Sequence, residues 1–351
     1  MLHPNLTMLT NRPPNVLLIL TDQLRPDAVG FGPGGRFATP NINRIAAGSI
    51  FAACQTVNPL CQPARTALLT GKYTHQIGLR AMSGDLSPQH PTFPRALRDA
   101  GYHTAAVGKL HYLQTWPWGT GPGEGNDLTA LRPFFHDLGF DHVWQAAGKQ
   151  LSVKDHCDYC DYLQSEGLLD VWRTYSANCG ANQNVPDKEL EPDGKPLPFE
   201  ARHHIDEVIC RQGIEALEKC PTDQPFFLMV SFCSPHKPFD PPQEILDQIP
   251  YEENDDFLPD TLDGRALTPE MKKTLWRLRR AYLATVKIVD TCVGRLLDAI
   301  QAGSLADNTM VLFSSDHGEM MGDHFRVQKS TFWRNSLTVP TAVLLPGAPR
   351  G

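Results

Sequence analysis

A cysteine at the mouth of a short helix is the residue in this sequence best placed to do chemistry. The run Pro59-Leu60-Cys61-Gln62-Pro63-Ala64-Arg65-Thr66-Ala67-Leu68-Leu69-Thr70-Gly71 carries a proline early, helix formers in the middle and a glycine at its end. That punctuation predicts a short helix with Cys61 at its N-terminal end. Free N–H groups and the positive end of the helix dipole favour an anion developing there. Arg65, four residues on, falls on the same face, so its planar fork can reach an oxygen or sulfur held at position 61. Two further pairs, Asp22-Gln23 and Asp316-His317, supply two carboxylates, an amide oxygen and an imidazole. This donor set suits Ca²⁺, Mg²⁺ or Mn²⁺, with the imidazole leaning toward Mn²⁺. Each feature also has an ordinary reading by itself: a buried thiol beside a surface arginine, an Asx turn after a strand, a satisfied loop pair.

A sheet has to bring these positions together. The apolar runs Val16 to Leu20, Thr104 to Val107, Phe226 to Val230 and Met310 to Phe313 are short, unalternating and end in polar or small residues, the pattern of strands buried on both faces of a mainly parallel sheet. Helical stretches lie between them. The clearest runs from Pro269 to Ile300, with Thr268 as N-cap and apolar residues stepping by three or four from Leu275 onward. The expected fold is therefore α/β, a large parallel or mixed sheet sandwiched by helices, with ligands gathering beyond the carboxyl ends of the strands. Asp22, Lys109 and Asp316 each follow an apolar run directly and should face one crevice. Between about Tyr112 and Glu200 the pattern dissolves into Trp-, Pro-, Gly- and Asp-rich sequence, read as long loops covering that face and setting specificity. Residues 1–14 are read as an extension and 15–351 as one catalytic domain.

With 351 residues, 41% of them hydrophobic, the chain can bury a sizeable core. A net charge of -7 with scattered Lys and Arg excludes a basic nucleic-acid-binding face. No apolar run approaches the roughly 20 residues that span a bilayer, and the first fourteen residues lack the pattern of a secretory signal; a cytoplasmic location is expected. Most of the nine cysteines then read as free thiols. Cys157-Asp158-Tyr159-Cys160, preceded by His156, has zinc-knuckle spacing, and Cys179 offers a third thiolate; without a second close pair, free loop thiols are the expectation.

The segment Cys61-Gln62-Pro63-Ala64-Arg65, followed by Leu68-Leu69-Thr70-Gly71-Lys72-Tyr73, resembles the signature of the type I sulfatases in the alkaline phosphatase superfamily, C-x-P-x-R with a later T-G-[KR]-Y. Asn15 to Asp22 resembles that family's opening strand, Thr39-Pro40-Asn41-Ile42 its T-P-N-[IL] element, Ala105 to His111 its G-K-x-H element and Asp316-His317-Gly318-Glu319 its D-[NH]-G-E element. The elements occur in the family's order. Asp22-Gln23, where many members have two aspartates, looks more like the choline-sulfatase and phosphonate monoester hydrolase branch, and Ala64 stands where serine is common. Family members usually continue into a smaller C-terminal region, which this chain is expected to have short or missing.

The resemblance implies a sulfuric ester hydrolase. Cys61 would be converted to formylglycine by a separate formylglycine-generating enzyme, and one divalent ion, calcium by family, would lie at Asp22, Gln23, Cys61, Asp316 and His317. The hydrated aldehyde would attack sulfur with one hydroxyl, expel the alcohol, and use the second hydroxyl to eliminate sulfate. Arg65 and Lys109 would hold the diol and sulfate oxygens, and Lys329 would contact the sulfate. His111 would be the base for elimination and His236 would protonate the leaving oxygen. His324 and Lys237 are neighbouring candidates. Two other readings stay open: a hydrolase of phosphonate monoesters or phosphodiesters on the same scaffold, and a binding protein without catalysis.

Overall fold

The computed structural model describes residues 13–32, 35, 37–114, 124–177, 195–250, 258–259 and 262–347. Among these, seven strands form one sheet: β1 (Asn15–Asp22), β2 (Ser49–Ile50), β3 (His103–Gly108), β4 (His142–Gln145), β5 (Phe226–Pro235), β6 (Thr309–Ser315) and β7 (Ala342–Leu344), in the order β2-β7-β6-β1-β5-β3-β4. The block β6-β1-β5-β3-β4 is parallel throughout. The short β7 and β2 add antiparallel to its edge. The expected parallel or mixed sheet is thus present, with each apolar run on a strand.

Successive strand residues point to opposite faces, so each core strand contributes to two layers. Leu17 and Ile19 pack with the helices Pro40–Ala46, Asp158–Ser165, Ile205–Glu218 and Pro269–Ala302. Leu18 packs on the other side with Leu69, Ile77, Phe135 and Leu138 from shorter helices. The long helix starts as its sequence dictates: the Thr268 hydroxyl accepts from the Met271 N–H at 3.2 Å and Pro269 occupies the first turn. No helix among the described residues is long and apolar enough to cross a membrane.

One expectation needs correction. The stretch read as loops between about Tyr112 and Glu200 holds the helices Arg132–Asp137, Asp158–Ser165 and Leu169–Ala177 as well as β4. Gly and Pro mark the ends of these short elements, and their few apolar residues are buried anchors, Phe135, Tyr159 and Trp172 among them. Residues 115–123 and 178–194 of that stretch, Cys179 included, lie outside the described residues.

Candidate active site

Because β6, β1, β5 and β3 run parallel, their carboxyl ends share one edge, and the residues at those ends converge. Asp22 ends β1, Lys109 follows β3, His236 follows β5 and Asp316 follows β6. Gly108 makes this possible for Lys109: at φ 103 it takes a backbone that side chains avoid, and a Cβ there would sit 2.0 Å from the Ser231 carbonyl oxygen. The helix Cys61–Thr70 enters from the side. Leu60 hands the chain over in an extended conformation, and Gly71 closes the helix in the left-handed region at φ 65.

Cys61 is buried at the meeting point. Its Sγ lies 3.2 Å from His317 Nε2 and 3.6 Å from Asp22 Oδ1, and Lys329 Nζ donates to it at 2.8 Å. The ligand atoms of Asp22, Cys61, Asp316 and His317 all fall within 4.8 Å of one another, the one such group among the described residues. Gln23 belongs to the same cluster: its Oε1 accepts from Lys329 Nζ at 2.9 Å, while its Nε2 donates to Glu319 Oε2.

Arg65 braces the carboxylates instead of pointing at Cys61. Its Nε donates to Asp316 Oδ2 at 2.7 Å, its Nη2 stands 3.5 Å from Asp22 Oδ2, and its Nη1 donates to the Lys109 carbonyl and to Ser231 Oγ at 2.6 and 2.8 Å. At 1% exposure it is no surface arginine. A second ammonium, Lys109 Nζ, pairs with Asp22 Oδ2.

The charges set one another's ionisation. Burial and the Cys61 sulfur push the Asp22 carboxyl up, yet Lys109, His236 and Lys329 together hold it well below the ordinary carboxylate range. Burial also opposes ionisation of Cys61, and Lys109, Lys329 and His317 overcome it, leaving the thiol far more acidic than usual. Burial and the Lys329 ammonium lower His236 to about 4. His111 is likewise lowered, mainly by burial. His317 is raised: burial disfavours its cation, but Asp316 and the Cys61 sulfur together outweigh it.

His111 does not continue β3 as extended chain. At φ 57 it turns into the left-handed region, and its ring still lies within reach of the Cys61 sulfur. Gln23, Gln328 and Ser330, flanking other site residues, also have positive φ, at 70°, 69° and 70°. Strained backbone of this kind persists where surrounding structure over-determines it.

The weaker candidates stand apart from this geometry. His324 stacks on Trp333 with ring centroids 3.7 Å apart and pairs with Asp263 at 2.6 Å. Lys237 is buried, and its carbonyl accepts from His236 Nδ1 at 2.7 Å. Cys157 and Cys160 lie with their sulfurs 3.5 Å apart, and no described carboxylate or imidazole completes a zinc site with them. The sequence reading left two contributors without a role: Glu319, visible in its D-H-G-E motif, and Ser231, visible only as the polar residue ending an apolar run.

The sulfatase family model matches residues 14–351. An arylsulfatase of Clostridium perfringens is 30% identical over 95% of this chain and 69% of its own length. A choline-sulfatase of Rhizobium meliloti is 28% identical over 98% of this chain and 65% of its own. The chain thus spans about two thirds of the length of these curated relatives. In fold it is similar to the phosphonate monoester hydrolase of Agrobacterium radiobacter, with a TM-score of 0.69 at 22% identity over 95% of this chain and 68% of that one. With a match running through every strand of the sheet and every residue at its active edge, the chain belongs to the sulfatase family.

Proposed function

We propose that this protein hydrolyses a sulfate monoester, with position 61 as the nucleophile after its oxidation to formylglycine. The observation that carries this reading is Cys61 itself, buried at a helix start between a group of metal-ligand type and two ammonium groups. Oxygen and imidazole donors at Asp22, Gln23, Asp316 and His317 fit a hard divalent ion such as Ca²⁺, Mg²⁺ or Mn²⁺. Two buried carboxylates each have Oδ2 held by Arg65 or Lys109 and turn Oδ1 toward His317, so two oxygens and an imidazole converge where such an ion would sit. When bound, the ion would supply Lewis-acid neutralisation of charge on the ester. The hydrated aldehyde would supply two hydroxyls where the structure has one sulfur.

The chain's own residues have separable tasks. Lys109 and Lys329 hold positive charge on either side of position 61, where the sulfate oxygens would come to rest. Arg65 holds Oδ2 of both carboxylates and leaves their Oδ1 atoms facing His317. His111, largely neutral through burial, is suited to take a proton from a hydroxyl at position 61. His236, its Nδ1 donating to the Lys237 carbonyl, keeps Nε2 for the leaving alcohol. Burial and Lys329 lower it, so it serves as the acid only when the negative charge of the bound ester offsets Lys329 and favours the imidazolium. Maturation would call on a formylglycine-generating enzyme as partner. A reducing, cytoplasmic compartment fits the eight free cysteines among the described residues.

The mass of the tryptic peptide containing position 61 tests the nucleophile, and release of sulfate from an aryl sulfate tests the reaction. Unmodified protein that turns over many times per site would overturn the reading in favour of a metal-activated water. The Asp22-Gln23 pair also favours a second substrate class, phosphonate monoesters. Parallel assays with aryl sulfate and aryl phosphonate esters decide between them.

A further inference from the structure

Behind the active edge lies a second buried ion pair that the chemistry above does not use. Lys149 is fully buried and donates from Nζ to Asp240 Oδ1 at 2.5 Å and to the Pro238 carbonyl at 3.2 Å. His204, also fully buried, brings Nε2 to 3.5 Å from the same carboxylate oxygen. An ammonium out of water is costly unless its partner is well placed, and such pairs are weak contributors to stability. This one therefore calls for another explanation.

Its position supplies one. Asp240 and Pro238 end the buried loop Ser234-Pro235-His236-Lys237-Pro238-Phe239-Asp240, which carries His236. The start of that loop is held too: both Asp206 oxygens accept from the Ser234 N–H, at 3.3 and 3.2 Å, and Oδ1 also from the Cys233 N–H at 2.7 Å. Lys149 is itself fixed, because its carbonyl accepts from Ser152 Oγ and Ser176 Oγ, both at 3.1 Å. Its neighbour Gly148, at φ 120, leaves room for the Lys109 side chain, whose Cε is 3.3 Å from where a Cβ would stand. One dipeptide thus touches Lys109 with its first residue and anchors the His236 loop with its second.

We infer that Lys149 and Asp240 are positioning residues that hold the His236 loop against position 61. The inference rests on the proposed role of His236, and two measurements on the whole protein keep the two ideas apart. Amide hydrogen exchange over residues 232–242 needs no reaction. Lys149→Met should speed exchange there, and unchanged exchange overturns the anchor. The second measurement compares sulfate esters of a poor and a good leaving group. If the anchor serves His236, Lys149→Met and Asp240→Asn should lower kcat for the alkyl ester about tenfold more than for the nitrophenyl ester, a part of what a general acid contributes. Equal losses on both esters overturn the positioning role even if exchange rises. The double variant Lys149→Met/Asp240→Leu removes both buried charges and guards against misfolding. It should melt near wild type and keep the selective loss; a double variant that is folded and fully active on the alkyl ester also overturns the inference. A wild type without sulfatase activity would reject the proposed function and leave the exchange measurement decisive for the anchor.

Discussion

Two buried neighbourhoods in this molecule each hold a thiol and a carboxylate out of water, and they treat them in opposite ways. At the active edge, Cys61 and Asp22 are driven toward their anions because Lys109 and Lys329 face both. Around the helix Asp158–Ser165, burial raises the Cys157 thiol well above its ordinary value, and burial lifts Asp155 to about 7. Cys160 is lowered, chiefly by its hydrogen bond with Cys157. Desolvation acts the same way in both places. What differs is how strongly cations answer it: Lys154 offsets the burial of Asp155 only weakly, whereas at the active edge two ammonium groups arrive from β3 and from the loop that carries Lys329. Burial alone yields inert groups, whereas burial among opposing charges yields reactive ones.

The largest expected effect breaks the comparison at its centre. Cys61→Ala should lower sulfate release by at least about a thousandfold, as removal of a nucleophile does, while Cys157→Ala/Cys160→Ala should stay near wild type. A double variant as inactive as Cys61→Ala would place chemistry where the geometry puts packing. Next in size, Asp316→Ala should lose bound divalent metal, measured by elemental analysis, together with activity. Outer partners of metal ligands already cost about 10–100-fold, so removing a ligand should cost at least that. Retained metal at wild-type stoichiometry would show that the carboxylate cluster serves some other end.

A third experiment separates the two histidines that flank position 61. His236→Ala should slow esters of poor leaving groups by roughly 100-fold or more and spare nitrophenyl esters, which need little protonation. His111→Ala should slow both alike, because breakdown after the alcohol has left does not depend on which alcohol it was. Identical profiles for the two variants would reject the division of labour.

Much of this site was legible because strand ends are legible. Asp22, Lys109 and Asp316 each follow an apolar run, and parallel pairing delivers whatever stands there to one edge. The helix beginning at Cys61 was equally plain from Pro63 and Gly71. Two things were not. The turn at His111 is set by its surroundings, not by any glycine or proline, so its left-handed backbone left no mark in the sequence. The pairing of Lys149 with Asp240 joins residues 91 positions apart, and Lys149 stands in a stretch that read as loop, since its helices are short and each buries only a few apolar anchors.

The smallest expected effect probes the second neighbourhood directly. Asp155 Oδ1 accepts from the Asn126 N–H at 2.9 Å, but Oδ2 is buried without a hydrogen-bond partner. Burial raises this carboxyl from 3.8 to about 7, so between those values the folded protein holds a proton that the unfolded chain has released. Stability is therefore fullest below the unfolded value and declines as pH rises through the folded one. Asp155→Asn keeps the oxygen that accepts from Asn126 and cannot ionise, so it removes that decline. Urea melts at pH 4 and pH 8 should show the variant gaining on wild type by on the order of 1 kcal/mol across the interval. Asp22 is held low by cations, so the same interval should leave its contribution unchanged. If Asp155→Asn and wild type instead track each other in parallel from pH 4 to 8, Asp155 is ionised in the folded protein, and a cation or water must reach its second oxygen as Lys109 reaches Asp22.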